Sequence, residues 1–121
     1  MEDSMRPIFA ILPALLLFLG IGVAEAADAT QLAESAGFLL GNAHRCGVPT
    51  ERVDRAGRVI HHLIVAVSYD AAEEATADAR FVEIFIASAV PDPEDALIPP
   101  CATVVAQFER LEQHHRQSGM N

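Results

Sequence analysis

The sequence contains no lysine and no tryptophan, and it has a single tyrosine. Its eight basic residues are therefore all arginines, and they are outnumbered by 17 acidic residues, so that the formal charge is −9. A protein of this charge lacks the positive surface that binds nucleic-acid phosphates. We therefore expect no nucleic-acid partner. The chain is 51% hydrophobic, which is too apolar for a disordered protein, and its 121 residues suffice for one small domain.

The sequence also lacks the common signatures of enzyme sites. No serine lies in a Gly-x-Ser-x-Gly motif, and there is neither a glycine-rich phosphate loop nor a His-Glu-x-x-His motif. The acidic pairs Glu73-Glu74 and Glu94-Asp95 are typical of solvated surface charge. We therefore expect a protein that is not an enzyme and that needs no cofactor.

The first 26 residues have the three parts of a secretory signal peptide. Arg6 precedes an apolar run over residues 7–23, which is followed by an Ala-x-Ala cleavage motif that ends at Ala26. We expect cleavage after Ala26, which leaves residues 27–121 as a single helical domain in the periplasm or outside the cell, with no stable membrane span. The alternative is that residues 1–26 are retained as a membrane anchor.

The two cysteines, Cys46 and Cys101, both lie in the predicted mature domain. An exported protein with an even number of cysteines usually pairs them. There is no Cys-x-x-Cys motif, which would indicate redox exchange. The sequence therefore predicts one structural disulfide, Cys46–Cys101.

Helical periodicity and capping signals predict four helices, over residues 31–45, 51–67, about 70–90 and about 99–119. The expected N-terminal caps of the first three are Thr30, Thr50 and Asp70, the last with Glu73 as its capping-box partner. The short connections favour an up-down-up-down four-helix bundle. In that topology Cys46 and Cys101 lie at the same pole, so the disulfide forms without distortion.

The third predicted helix is apolar on more than one side. Its expected core stripe consists of Val82, Phe85, Ile86 and Ala89, and Phe81 and Ile84 lie beyond that stripe. We therefore interpret Phe81, Ile84 and Phe85 as a candidate interaction face for a protein partner or a second copy. The alternative is that the loop over residues 91–100 folds back and covers it.

Four of the five histidines come as adjacent pairs on the second and fourth helices. If these helices start level, the two pairs lie at similar heights, and Glu112 adds a Glu-x-x-His pattern with His115. A metal or pH-sensing cluster could then form from His61, His62, Glu112, His114 and His115. The alternative is that these side chains are solvated, because adjacent residues on a helix point about 100° apart.

These observations favour a small exported helical protein that acts by protein–protein interaction, such as an inhibitor, an immunity-type protein or an accessory subunit. One alternative is a periplasmic acid or stress chaperone. Small helical proteins of that kind are similar to this chain in size, in having a signal peptide and in having two cysteines. No motif supports that analogy. A second alternative is histidine-based metal binding.

Overall fold

The computed structural model describes residues 28–94 and 97–119, and in these residues the chain forms four α-helices and no strand. They are α1 (Ala29–Arg45), α2 (Thr50–Val67), α3 (Ala71–Ala89) and α4 (Cys101–Gly119). The predicted all-α class is confirmed, and residues 81–89 are helical although their β-branched and aromatic composition is also typical of a strand. The predicted signal peptide over residues 1–26 lies outside the described residues.

Two of the expected helix caps are wrong. The N-cap of α1 is Asp28, whose carboxylate accepts a hydrogen bond of 2.9 Å from the backbone N–H of Gln31, and Thr30 lies inside the first turn. Thr50 is the first residue of α2 rather than its cap, because Pro49 precedes it in cap position and makes no side-chain capping bond. The Pro49 carbonyl instead accepts the first backbone bonds of the helix.

The expected cap of α3 is confirmed. The Asp70 carboxylate accepts a hydrogen bond of 2.9 Å from the backbone N–H of Glu73. The Glu73 carboxylate in turn accepts from the backbone N–H of Tyr69. This reciprocal pair satisfies amide groups that the start of a helix leaves without partners, and it sets where α3 begins.

The first helix contacts each of the other three helices, and its closest partner is α3. Gly37 lies beside Phe81, and Gly41 lies one turn further along beside Phe85 and Ser88. The residue numbers rise together on both sides of this contact, so α1 and α3 are parallel. A parallel first and third helix is what an up-down-up-down order requires, and that order for the whole bundle stays a prediction.

The hydrophobic core is built around α1. Leu40, Ile64 and Phe108 are its largest fully buried side chains, and they come from α1, α2 and α4. Ala77 is the only apolar residue of α3 that is buried, whereas Phe81 and Phe85 of the same helix are partly buried and pack against the core. The other buried apolar residues are Ala29, Ala33, Ala36, Ala43, Val48, Val53, Ala56, Ile60 and Val104.

The predicted disulfide is confirmed. Cys46 follows the last residue of α1 and Cys101 begins α4, with an S–S distance of 2.05 Å and a Cα–Cα distance of 5.4 Å. Arg45 reinforces this junction, since its guanidinium donates 2.9 Å hydrogen bonds to the Pro99 carbonyl and to the side chain of buried Asn42. The end of α1 and the start of α4 are therefore joined both covalently and by hydrogen bonds.

Candidate functional site

The inner face of α3 holds the three residues that the sequence analysis assigned to an interaction surface. Phe81 and Phe85 are half-buried and pack against the core, with their ring centroids 6.1 Å apart. The Cβ atom of Ile84 lies against Gly37 of α1. Phe81, Ile84 and Phe85 therefore take part in the contact between α1 and α3, and their role as an interaction face stays a prediction.

The opposite face of α3 is exposed and apolar. Val82 and Ile86 are 52% and 58% exposed, although their spacing predicted a place in the core, and Val90, the C-cap of α3, is 77% exposed. Ala75 and Ala79 continue the same line toward the start of the helix, at spacings of three and four residues. We call these five residues the outer stripe of α3.

Acidic side chains border the outer stripe. The spacing of a helix places Asp78 along one edge and Glu83 along the other. Arg80 lies on the inner side of Glu83 and donates to it at 2.9 Å while also donating to Glu34 of α1 at 2.7 Å. The helix as a whole carries four acidic residues and one arginine. The outer stripe is therefore an apolar surface in a negatively charged setting.

One histidine of α2 reaches a pair of carboxylates on α3. The Nδ1 atom of His61 lies 3.2 Å from an Oδ1 atom of Asp78. Glu74 lies one turn before Asp78, and one ligand atom from each of the three residues falls within 4.8 Å of the others. We call His61, Glu74 and Asp78 the His61 cluster. It contains one of the five residues that the sequence analysis proposed for a metal or pH-sensing site.

Glu112 is engaged by an arginine instead. Its carboxylate accepts two hydrogen bonds from Arg52 of α2, one of them 3.0 Å long, and the same guanidinium lies 5.6 Å from the centre of the Phe108 ring. The bonds from Arg52 lower the pKa of the Glu112 carboxyl, against a smaller opposing effect of burial. The positive charges of Arg116 and Arg55 act in the same direction as Arg52.

This ion pair corrects the expected alignment of α2 and α4. Arg52 lies in the first turn of α2, whereas Glu112 lies in the fourth turn of α4, so the two helices do not run side by side from a common level. His115 lines a surface cavity of about 760 Å³ between these helices, together with Arg55 and Arg116. The side chain of His114 is exposed.

The proposed histidine cluster does not form within residues 28–94 and 97–119. His62 is exposed, with its ring centroid 6.1 Å from that of His61. No three of the five proposed residues bring ligand atoms within 4.8 Å of one another. They are His61, His62, Glu112, His114 and His115.

Sequence reasoning missed Glu74 and Asp78, although their spacing of four residues places both carboxylates on one side of a helix. That spacing alone is common on solvated helices, and only the approach of His61 from α2 makes it distinctive. The outer stripe was missed for a different reason. Val82 and Ile86 are large and periodic, and nothing in the α3 sequence shows that glycines in α1 favour the other face.

Comparison with known proteins gave no relatives: no protein-family model, curated protein or solved structure matches this chain. None of the helices described here is long and apolar enough to cross a membrane. The disulfide fits an oxidising compartment, as outside the cytoplasm.

Proposed function

We propose that this is an exported, non-catalytic protein that acts by binding another protein through the outer stripe of α3. Inhibitors, immunity-type proteins and accessory subunits all act by binding another protein. The observation that carries the proposal is the exposure of Val82 and Ile86 along one face of α3 and of Val90 at its C-cap. Isolated exposed apolar residues are normal, but a continuous line of them at helical spacing is typical of an interaction site.

The outer stripe suits recognition by an amphipathic helix. Its residues recur at spacings of three and four, which is the pattern by which helices dock their apolar faces. The stripe is narrow at Ala75 and Ala79 and wide at Val82 and Ile86. A partner helix can therefore approach closely over the alanines and pack small side chains over the larger residues.

The charge around the stripe favours a basic partner over a second copy of this chain. Asp78 and Glu83 border the stripe, and the whole protein has a formal charge of −9. Two copies that met through this face would bring acidic helices together, and like charges across an interface are unfavourable. We therefore propose that the partner contributes an apolar helix face flanked by lysine or arginine.

Site-specific crosslinking in the native host tests this proposal. A photoreactive amino acid at Ile86 is expected to crosslink to one partner protein, and the same group at exposed Gln107 of α4 is expected not to. The yield at Ile86 should fall in extracts of high ionic strength, because salt screens exposed charges. A product formed only between two copies of the chain, or no product at Ile86, would overturn the proposal.

The two isoleucines of α3 supply a matched pair of variants. Ile86→Ala should abolish the crosslink from a photoreactive group at Val82 and change the free energy of unfolding by no more than about 0.5 kcal/mol. Ile84→Ala removes the same atoms from the contact with α1 and should cost about 1–3 kcal/mol, less than a fully buried isoleucine because Ile84 is half-buried. Equal losses of stability would mean that Ile86 is structural, and the outer stripe would lose its functional interpretation.

We also propose a periplasmic or secreted location, with the signal peptide removed after Ala26. The Cys46–Cys101 disulfide and the apolar run over residues 7–23 support this location. The intact mass of the protein purified from its native host tests it. A mass that corresponds to a chain starting at Ala27 is expected, and a full-length mass in the membrane fraction would favour a retained anchor.

A further inference from the structure

The His61 cluster joins two helices by side chains that metals bind. His61 comes from α2, and Glu74 and Asp78 come from successive turns of α3. All three side chains reach solvent, so an ion can enter without any rearrangement of the core. The contact between His61 and Asp78 already holds an imidazole nitrogen and a carboxylate oxygen 3.2 Å apart.

The distance between His61 and Asp78 is close to the distance between two ligands of one metal ion. Zinc binds histidine nitrogen and carboxylate oxygen at about 2.0–2.2 Å, which places neighbouring ligand atoms of a tetrahedral ion about 3.4 Å apart. The His61–Asp78 distance agrees with that spacing. The nearest ligand atom of Glu74 lies within 4.8 Å of the other two, and we expect its flexible side chain to move closer when an ion binds.

The donor set also selects a class of ion. An imidazole together with carboxylates suits zinc and the other divalent first-row transition metals, whereas Ca²⁺ and Mg²⁺ are bound by oxygen atoms alone. The two carboxylates would balance the charge of a divalent cation. The overall charge of −9 favours any cation near this surface.

We propose that the His61 cluster binds one divalent transition-metal ion between α2 and α3, with water completing the coordination. His61 and Asp78 already contact each other across α2 and α3, and a bound ion would strengthen that contact. The proposal does not depend on a protein partner for the outer stripe, because none of the three ligands is a residue of that stripe, although Asp78 lies at its edge.

Isothermal titration calorimetry of the disulfide-intact protein with Zn²⁺ tests the proposal. One ion per chain is expected for the wild type, with an affinity reduced by about tenfold or more in both His61→Gln and Asp78→Asn. The matched control is His62→Gln, which alters the adjacent exposed histidine and should bind as the wild type does. Glu74→Gln should weaken binding as well.

A second measurement distinguishes binding at the His61 cluster from binding to the other histidines. Zn²⁺ should raise the unfolding temperature of the wild type and of His62→Gln, because a ligand of the folded state alone stabilises it. It should not raise that of His61→Gln. The absence of heat at about 1 mM Zn²⁺, or binding lost in a His114→Gln/His115→Gln variant and retained in His61→Gln, would overturn the proposal.

Discussion

Glu112 illustrates how a partner decides the chemistry of a single residue. Its spacing from His115 is that of carboxylate metal sites in helical bundles, and the sequence offers no sign that an arginine will reach it. In the fold, Arg52 donates two hydrogen bonds to the Glu112 carboxylate. A carboxylate held in this way is an ion-pair partner between α2 and α4.

The Arg52–Glu112 ion pair makes stability depend on pH. The pKa of the Glu112 carboxyl is lowered in the folded state, so the unfolded chain takes up the proton first as the pH falls. The contribution of the pair is thus complete above the ordinary pKa of a glutamate and is lost as the pH falls through the lowered value. We expect Glu112→Gln to have a lower urea midpoint than the wild type at pH 7.

The difference between the two proteins should shrink as the pH falls below the ordinary pKa of a glutamate, because protonation of Glu112 in the unfolded and then in the folded chain removes the ion pair's contribution. Urea titrations at pH 7, 5 and 3 check this. Glu109→Gln serves as the comparison, because the Glu109 charge acts on Arg52 without a hydrogen bond and its removal should have the smaller effect. A difference that stays constant from pH 7 to pH 3 would show that the ion pair is not its source.

Two glycines of α1, Gly37 and Gly41, allow the close approach of α1 and α3. A Cβ atom at Gly37 would lie 2.8 Å from the Phe81 carbonyl oxygen, and one at Gly41 would lie 2.7 Å from the Ser88 Cβ atom. Real Cβ contacts are longer than these distances, so the two backbones could not approach as they do if either glycine were replaced. This close approach turns the Ser88 side of α3 inward and the Ile86 side outward.

Replacement of Gly41 by alanine should separate these helices. Gly41→Ala is expected to cost about 1–3 kcal/mol, since the added methyl group meets the backbone of α3 and overpacks the contact. Gly57→Ala is the matched control on α2, where the nearest atom, Leu40 Cδ2, would be 3.9 Å away. That variant should gain up to about 1 kcal/mol from helix propensity alone. Urea unfolding of both variants measures the contrast, and equal stabilities would contradict it.

The sequence predicts the helices better than it predicts their orientation. Local signals such as Asp70 with Glu73 set where α3 begins, and the hydrophobic spacing shows that it is a helix. Its rotation depends on Gly37 and Gly41, which belong to a different helix and carry no side chain that a periodicity argument would count. The His61 cluster was missed for the same reason, because its members meet only across α2 and α3.

At the scale of the molecule, the disulfide links parts of the chain that are 55 residues apart. A crosslink of this span restricts the unfolded chain, and the chain-entropy model assigns it about 4 kcal/mol. Small domains have total stabilities of about 5–15 kcal/mol. The Cys46–Cys101 bond is therefore expected to supply a large share of the stability of the folded protein.

Reduction of the Cys46–Cys101 disulfide should show how much of the free energy of unfolding this bond supplies. The reduced protein and a Cys46→Ser/Cys101→Ser variant are expected to lose about 4 kcal/mol and to agree with each other. Both cysteines of the sequence are in this bond, so a reductant acts nowhere else. Urea unfolding with and without reductant measures the loss. An unchanged midpoint would mean that the junction is held by the bonds of Arg45 alone.

The central position of α1 has a consequence for the order of folding. It packs most extensively against α3 rather than against α2, the next helix in the sequence. The Glu34–Arg80 bond across the α1–α3 contact joins residues that are 46 positions apart. A helical hairpin of α1 and α2 therefore cannot reproduce the main packing of the native state. The chain must close a long loop before that packing forms, so we expect it to fold more slowly than bundles whose strongest contacts are local.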